Sequence, residues 1–166
     1  MLEDVYFDTN DFQLLKKDVW LRKRGDDYEL KIAPYNKAHT KETKGMTHYH
    51  EVAGINNVTN ELSKVIKTRI EDLDVLVNVS AKRQNWELED FKIVIDEIVD
   101  DGWTVGEVEL MAGDNDNVII IKQRIEELTK KLNFEPQPYG KVGTRNSLEY
   151  SSLEICLAKS LSIFPE

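Results

Sequence analysis

A predicted β-hairpin carries basic side chains and a tryptophan on one of its faces. Residues 20–31 read WLRKRGDDYELK, and strict alternation places Trp20, Arg22 and Arg24 together on the first strand. After a predicted Gly25-Asp26-Asp27 turn, the second strand adds Lys31 to the same face. The opposite face is apolar and consists of Val19, Leu21, Leu30 and Ile32. Like charges that face each other across a hairpin cost stability, so the basic face is predicted to hold an anionic ligand.

A second predicted hairpin, over residues 91–111, collects carboxylates instead. Its sequence FKIVIDEIVDDGWTVGEVELM places Glu107 and Glu109 on one face, and Asp96 joins them if its own face points the same way. Carboxylates crowded on a sheet repel each other unless a cation or a proton intervenes. Such oxygen donors favour a hard divalent cation, Mg²⁺ or Mn²⁺, which can bridge carboxylates to phosphate.

The rest of the chain must supply the elements that position these two hairpins. Alternation predicts a strand over residues 5–9, another over residues 48–52, and one or two more between residues 73 and 86. Residues 36–46 are polar without periodicity and are predicted to form a loop.

Three stretches show helical spacing of apolar residues. Residues 57–68 form the first, with Asn57 or Thr59 as the predicted N-cap. Residues 115–132 form the second, which is predicted to be a packing helix that ends before Pro136 and Pro138. Residues 147–162 form the third.

Together these elements predict a single α+β domain over residues 1–166, an antiparallel β-barrel with helices packed outside and charges inside. The alternative is an open sheet whose charged faces are simply solvated. Inside a barrel, phosphate oxygens would be bound by Arg22, Arg24, Lys31, Arg83 and Lys141. The divalent cation would be held by Asp96, Glu107 and Glu109.

Composition limits the partners. The chain has 166 residues and a formal net charge of -9, which argues against a broad nucleic-acid or anionic-membrane surface. Its one cysteine, Cys156, cannot form an internal disulfide, and no amino-terminal apolar run resembles a signal peptide or a membrane span. We therefore expect a cytoplasmic protein. We also expect a monomer rather than an oligomer.

A histidine pair offers a second metal hypothesis. His48 and His50 lie two apart on a predicted strand, which is the spacing of a half-site for a transition metal. No third ligand of matching type is evident in the sequence, and solvated surface histidines are more common.

Five short motifs resemble a known family. In chain order they are Tyr6-Phe7-Asp8-Thr9, Trp20-Leu21-Arg22-Lys23-Arg24, Glu29-Leu30-Lys31, Val94-Ile95-Asp96 and Val105-Gly106-Glu107-Val108-Glu109. Their order and approximate spacing resemble the CYTH family of triphosphate tunnel metalloenzymes, over about residues 5–141. Within that family the chain is most similar to the thiamine-triphosphatases.

The resemblance implies a tunnel of antiparallel strands in which a triphosphate is hydrolysed with Mg²⁺. It would make Arg22, Arg24, Lys31, Arg83 and Lys141 the triphosphate clamp, and Asp96, Glu107 and Glu109 the metal ligands. Lys31, Glu107 and Glu109 would act in catalysis. Trp20 would pack against the thiazolium cation of thiamine triphosphate, an attraction between a cation and an aromatic ring.

One departure from the family concerns the start of the chain. The family's first strand carries a Glu-x-Glu-x-Lys motif that supplies metal ligands and a phosphate-binding lysine. In this sequence Met1-Leu2-Glu3-Asp4 runs directly into the Tyr6 motif, so that strand and the helix after it are expected to be missing.

Other functions remain open at this point. The same fold could hydrolyse inorganic tripolyphosphate or a nucleoside triphosphate, or could act as a class IV adenylyl cyclase. Because the amino-terminal motif is missing, the chain could also be a catalytically inert module that binds polyphosphate.

Overall fold

The computed structural model describes residues 1–33, 49–100, 102–112, 116–136 and 161–162. The strands in chain order are β1 (Leu2–Asp8), β2 (Val19–Arg24), β3 (Asp27–Ile32), β4 (His50–Ala53), β5 (Asp74–Leu88), β6 (Phe91–Ile98), β7 (Thr104–Leu110), β8 (Glu135–Pro136) and β9 (Leu161–Ser162). The helices are α1 (Ile55–Val65) and α2 (Val118–Lys131), and short 3-10 turns occupy Leu15–Lys17 and Ile70–Asp72.

Seven of these strands form one antiparallel sheet in the order β4-β3-β2-β1-β5-β6-β7. The strands β8 and β9 pair separately. The predicted α+β class and antiparallel sheet are confirmed. Within the described ranges the outer strands β4 and β7 are not hydrogen bonded to each other, so the seven described strands form a curled half of the predicted barrel.

The sheet is nevertheless curled. Lys31 on β3 and Glu107 on β7 are five strand positions apart in the sheet order, a separation of about 24 Å if the sheet were flat. Glu107 still lies close enough to raise the pKa of Lys31. Curling of the sheet brings its two ends toward each other around one face.

The alternation predicted for the first hairpin is confirmed by its register. Val19 lies opposite Ile32, and Leu21 lies opposite Leu30. The turn contains only Gly25 and Asp26, and Gly25 adopts a φ of 59° that favours glycine. Asp27, which was predicted to belong to the turn, is the first residue of β3.

Both described helices cover the apolar face of the sheet. Val58 and Leu62 of α1 are buried in one cluster with Leu21 and Leu30. Leu128 of α2 is buried in another cluster with aromatic and aliphatic residues of β6 and β7, namely Phe91, Ile93 and Val108. The helices thus lie outside the curled sheet and the charged residues lie inside it, as the sequence predicted. This division follows because residues that alternate along a strand point to opposite faces.

Several element boundaries differ from the predictions. The first strand begins at Leu2 rather than Val5, and residues 74–88 form one long strand. Helix α1 begins after Gly54 with no side-chain cap, so the predicted caps Asn57 and Thr59 lie inside the helix. Gly54 occupies the N-cap position with a φ of 85°, a conformation that glycine adopts readily and other residues rarely.

The carboxyl-terminal predictions need correction as well. Asn117 caps α2 by accepting a hydrogen bond from the backbone N–H of Ile119 at 3.0 Å, and the helix ends at Lys131 rather than at the prolines. Asn133 follows with a φ of 55°, a left-handed conformation that stops the helix. Leu161 and Ser162 pair with Pro136 and Glu135 as a strand, so the predicted helix over residues 147–162 is wrong at these two positions.

Other predictions lie outside the described residues. They concern His48, Lys141, the loop at residues 36–46 and the helix over residues 147–160. Over the described part of the chain, no helix is long and apolar enough to cross a membrane.

Candidate functional site

The charged face of the curled sheet, meaning the face that the helices do not cover, holds four of the predicted cations. Arg22 and Arg24 come from β2, Lys31 comes from β3 and Arg83 comes from β5. Their side chains are only 13% (Arg22), 26% (Arg24), 24% (Lys31) and 14% (Arg83) exposed, so solvent screens their charges incompletely. Each of them forms an ion pair with a carboxylate of this same chain.

Arg24 and Arg22 share the carboxylate of Asp4. Arg24 lies directly opposite Asp4 in the β1–β2 register, and its Nε and Nη2 donate to the two carboxylate oxygens at 2.6 and 2.8 Å. Nη1 of Arg22 lies 3.5 Å from the same carboxylate. The Asp4 side chain is fully buried, so it lies deeper in the protein than the two arginines.

Arg22 has a second partner on its other side. It lies opposite Glu29, and its Nε donates to that carboxylate at 3.1 Å. Burial lowers the pKa of Arg22, but Tyr6, Asp4 and Glu29 raise it by more, so the guanidinium stays charged. Burial raises the pKa of Glu29, and the hydrogen bond from Arg22 together with the nearby cations lowers it below its usual value.

The expectation that like charges face each other across the first hairpin was therefore wrong. Arg22 lies opposite Glu29, and Lys31 lies opposite Trp20. The two-residue turn sets this register, whereas the longer turn predicted from the sequence left it open. Carboxylates of the chain itself neutralise the basic face.

Lys31 lies between carboxylates from both ends of the sheet. It is opposite Glu51 of the edge strand β4, and its Nζ lies 2.8 Å from the Glu51 carboxylate. Burial lowers the pKa of Lys31, but Glu51 and then Glu107 raise it by more, so the net pKa is raised. Lys31 is therefore a permanent cation near neutral pH.

Arg83 is held in the same manner on the other half of the sheet. It lies opposite Asp96, and its Nε and Nη2 donate to the two Asp96 oxygens at 2.7 and 2.6 Å. The hydrogen bond to Asp96 is the largest cause of the raised pKa of Arg83; burial opposes it, and Glu107 adds to it. Glu107 thus lies near both Lys31 and Arg83.

The predicted metal ligands share a face but are engaged by cations. Val105 lies opposite Asp96, which places Asp96 on the face of Glu107 and Glu109. Both oxygens of Asp96 accept from Arg83, and Glu109 pairs with Lys92 at 3.2 Å.

These carboxylates do not fit a metal ion as they are arranged here. Over the residues that the structure describes, no group of three or more His, Cys, Asp or Glu side chains could hold such an ion. Carboxylate oxygens are the donors that Mg²⁺ prefers, so the chemistry of the donors is suitable and their arrangement is not.

Trp20 lies at one end of this face and is tightly packed. It is 9% exposed, and its ring meets Tyr6 edge to face with centroids 6.3 Å apart. The indole N–H donates to Asp18 at 2.9 Å, and the Tyr49 hydroxyl donates to the same oxygen at 2.8 Å. The partly buried Tyr49 and Trp103 pack against the same cluster, so aromatic surface remains near this end of the face.

Three site residues were not predicted from the sequence: Asp4, Glu29 and Glu51. A two-residue Gly25-Asp26 turn would have placed Glu29 opposite Arg22 by counting alone. Alternation back from Tyr6 would have placed Asp4 on the face of Tyr6. No local pattern pairs Glu51 with Lys31, because the two strands are separated by residues 33–49.

One protein family and several solved structures are similar to this chain. The CYTH domain family model matches residues 1–137. The PH1819 protein from Pyrococcus horikoshii OT3 is similar over 81% of this chain and 76% of that chain, with a TM-score of 0.50 and 15% sequence identity. A candidate adenylate cyclase from Bacillus halodurans matches over 78% of this chain and 74% of that chain, with a TM-score of 0.45 and 15% identity. No curated protein sequence matches the chain.

Proposed function

This chain belongs to the CYTH domain family, and on that basis we propose that it binds a small-molecule triphosphate on its charged face and hydrolyses the terminal phosphoryl group. One observation carries the proposal. Arg22, Arg24, Lys31 and Arg83 converge on a single curled face, and each is mostly shielded from solvent. A polyanion is the ligand that such a set of cations favours.

The arginines and the lysine have different roles in this proposal. Guanidinium groups bind phosphate oxygens through paired N–H donors, whereas Lys31 acts as a point charge. Phosphoryl transfer is catalysed mostly by positioning and by neutralising charge, and both fit cations that are already held in place by carboxylates. Lys141 completes the proposed clamp as a further lysine, and it lies outside the described residues.

Thiamine triphosphate is the proposed substrate. Its thiazolium ring is a cation, and the aromatic cluster of Tyr6, Trp20, Tyr49 and Trp103 provides ring faces and edges at one end of the charged face. Because Trp20 is almost fully buried, the half-buried Tyr49 and Trp103 offer more of the contact surface. Inorganic tripolyphosphate and nucleoside triphosphates are the alternative substrates on the same cations.

Mg²⁺ is the proposed cofactor, with Mn²⁺ as the alternative, because CYTH triphosphate tunnel enzymes depend on metal ions in general. Asp96, Glu107 and Glu109 supply the oxygen donors in this proposal, and Lys31, Glu107 and Glu109 are the proposed catalytic groups. Bound metal would neutralise phosphate charge. It would compete with Arg83 for Asp96 and with Lys92 for Glu109, because these carboxylates are paired with those cations.

The test is phosphate release by the chain itself. Thiamine triphosphate and tripolyphosphate are compared side by side, with and without Mg²⁺. We expect metal-dependent release that is faster with thiamine triphosphate, and Trp20→Ala should reduce that preference. Equal rates on both substrates would show that the protein is a triphosphatase with no preference for thiamine triphosphate.

A matched pair of variants tests the site. Glu107→Gln should abolish the metal-dependent release, because it removes a carboxylate near Lys31 and Arg83. Glu97→Gln removes an exposed carboxylate that pairs with Lys82 at 3.2 Å, and it should leave the rate unchanged. An unchanged rate in Glu107→Gln would refute the assigned site, and tight tripolyphosphate binding without turnover would show an inert binding module.

A further inference from the structure

Among the residues that the structure describes, Asp4 is the one buried acid that joins two of the proposed phosphate-binding arginines. Asp4 accepts two hydrogen bonds from Arg24 and lies 3.5 Å from a nitrogen of Arg22. Glu29 then holds Arg22 from the far side. Strands β1, β2 and β3 thereby carry a continuous row of charges, which runs from Arg24 through Asp4 and Arg22 to Glu29.

Burial of the Asp4 carboxylate lowers the stability of the folded state, and the fold alone does not require a charged residue at this position. Removing an ionised carboxylate from water is expensive, and well-packed apolar residues of similar volume often replace a buried ion pair without loss of stability. The neighbouring position on the same face is filled by the apolar ring of Tyr6, which is 6% exposed. A carboxylate at Asp4 therefore invites an explanation beyond packing.

The relative exposure of Asp4 and its two arginine partners indicates a role in ligand binding. The side chain of Asp4 is fully buried, whereas that of Arg24 is 26% exposed and that of Arg22 is 13% exposed. A ligand that enters from solvent meets the guanidinium groups before it can reach Asp4. Each guanidinium has more N–H donors than those that Asp4 accepts, so a phosphate group can bind while Asp4 stays in place.

We propose that Asp4 is a positioning residue, whose carboxylate holds Arg22 and Arg24 at a fixed separation that matches successive phosphate groups. This inference rests on the proposed function, since it concerns the same triphosphate site. Cations at fixed positions have a higher affinity for a ligand whose charges have the matching spacing. Mobile cations attract any polyanion by charge alone.

The selectivity between two phosphate chains separates positioning from simple charge. Asp4→Asn keeps the shape of the side chain but removes its negative charge, which shifts the affinity for every polyanion in the same direction. The ratio of the dissociation constants for pyrophosphate and tripolyphosphate removes much of that common shift. We expect the ratio to fall about tenfold, the effect of losing one charge-assisted hydrogen bond.

Asp8 provides the matched control on the same strand. It is also a buried carboxylate, but it accepts hydrogen bonds from the backbone N–H groups of Thr9, Leu14 and Leu15. Asp8→Asn should lower the melting temperature and leave the selectivity ratio unchanged. Calorimetry measures the fraction of protein that binds separately from the affinity, so partial unfolding of a variant cannot imitate the effect.

A second readout follows the arginine itself. The Nε–H resonance of Arg24 in nitrogen-15 NMR spectra should exchange faster with water in Asp4→Asn than in the unaltered chain, and Asp4→Glu should restore part of both effects. If the unaltered chain does not bind tripolyphosphate, the proposed function fails and this inference fails with it. If the chain binds and Asp4→Asn keeps the ratio of the unaltered chain, this inference alone is refuted.

Discussion

At the scale of single residues, the site is defined by cations that already have anionic partners. Arg83 is held by Asp96, Arg24 by Asp4, and Lys31 by Glu51. Pairing keeps each cation charged despite its burial, because a nearby carboxylate offsets the loss of solvation. It also fixes side chains that would otherwise lose conformational freedom when a ligand binds.

The Lys31–Glu51 pair leads to a prediction about pH. Glu51→Gln should lower the pKa of Lys31, because Glu51 is the largest of the influences that raise it above 10.5. A raised lysine pKa stabilises the folded state fully below the ordinary lysine pKa, and this stabilisation is lost as pH rises through the raised value. The unaltered chain should thus be more stable than the variant at neutral pH, by at most about 1 kcal/mol for this half-exposed pair, and the gap should close above about pH 10.5.

Side-chain NMR of Lys31 and urea titrations at several pH values measure these two effects. Glu97→Gln is the control, since its partner Lys82 lies on the opposite face of the sheet and is mostly exposed. A Lys31 pKa that stays the same in Glu51→Gln would show that the pair is absent in solution.

At the scale of elements, each helix secures one hairpin of the site. Helix α1 packs on the β2–β3 hairpin that carries Arg22, Arg24 and Lys31, and α2 packs on the β6–β7 hairpin that carries Asp96 and Glu107. These two hairpins are therefore apolar on the helix side, whereas their other side carries the charged residues and part of a second apolar cluster around Trp20 and Val105.

Leu128→Ala tests the packing of α2. Leu128 is 8% exposed within the cluster on β6 and β7, and truncation of such a side chain costs roughly 2 to 4 kcal/mol of unfolding free energy. Ile119→Ala on the same helix should change it by less than about 0.5 kcal/mol, because Ile119 is 68% exposed. Urea titrations report both values, and equal losses in the two variants would contradict the described packing of α2.

At the scale of the whole molecule, curling of the sheet assembles the site from its two ends. Lys31 and Glu107 belong to strands that are far apart in sheet order, yet they influence each other. The chain as a whole carries a net charge of -9, so the overall field does not attract a polyanion, and binding must depend on direct contacts with the arginines and the lysine of this face. The cytoplasmic location and the monomeric state expected from the sequence stay predictions.

The pairing of the carboxylates predicts how the molecule responds to metal. Mg²⁺ alone should raise the melting temperature by less than about 1 °C, because Asp96 and Glu109 are engaged by cations and little binding means little stabilisation. Tripolyphosphate should raise it clearly, since a ligand at one hundred times its dissociation constant adds about 2.7 kcal/mol.

Scanning calorimetry with and without each ligand makes this comparison, with NaCl at equal ionic strength as the control. A large increase with Mg²⁺ alone would show that the carboxylates form a metal site without a phosphate ligand. That outcome would contradict the arrangement described for Arg83 and Asp96.

The faces of the strands could be predicted from the sequence pattern. Alternation around Trp20, Arg22 and Arg24 and around Glu107 and Glu109 predicted which residues share a face, because side chains of a strand point alternately to its two sides. The motifs also predicted the CYTH family, and the family model confirms it. Boundaries were less accurate where a backbone conformation decided them, as at Gly54 and Asn133.

The contacts between charged residues could not be predicted in this way, because the folded chain sets them. Asp4 beside Arg24, Glu51 beside Lys31, and Glu107 near both Lys31 and Arg83 depend on strand register, strand order and curl. These are contacts between residues distant in sequence, and local periodicity contains no information about them. The same long-range pairing explains why the basic face holds carboxylates of its own chain, where the sequence predicted only a bound anion.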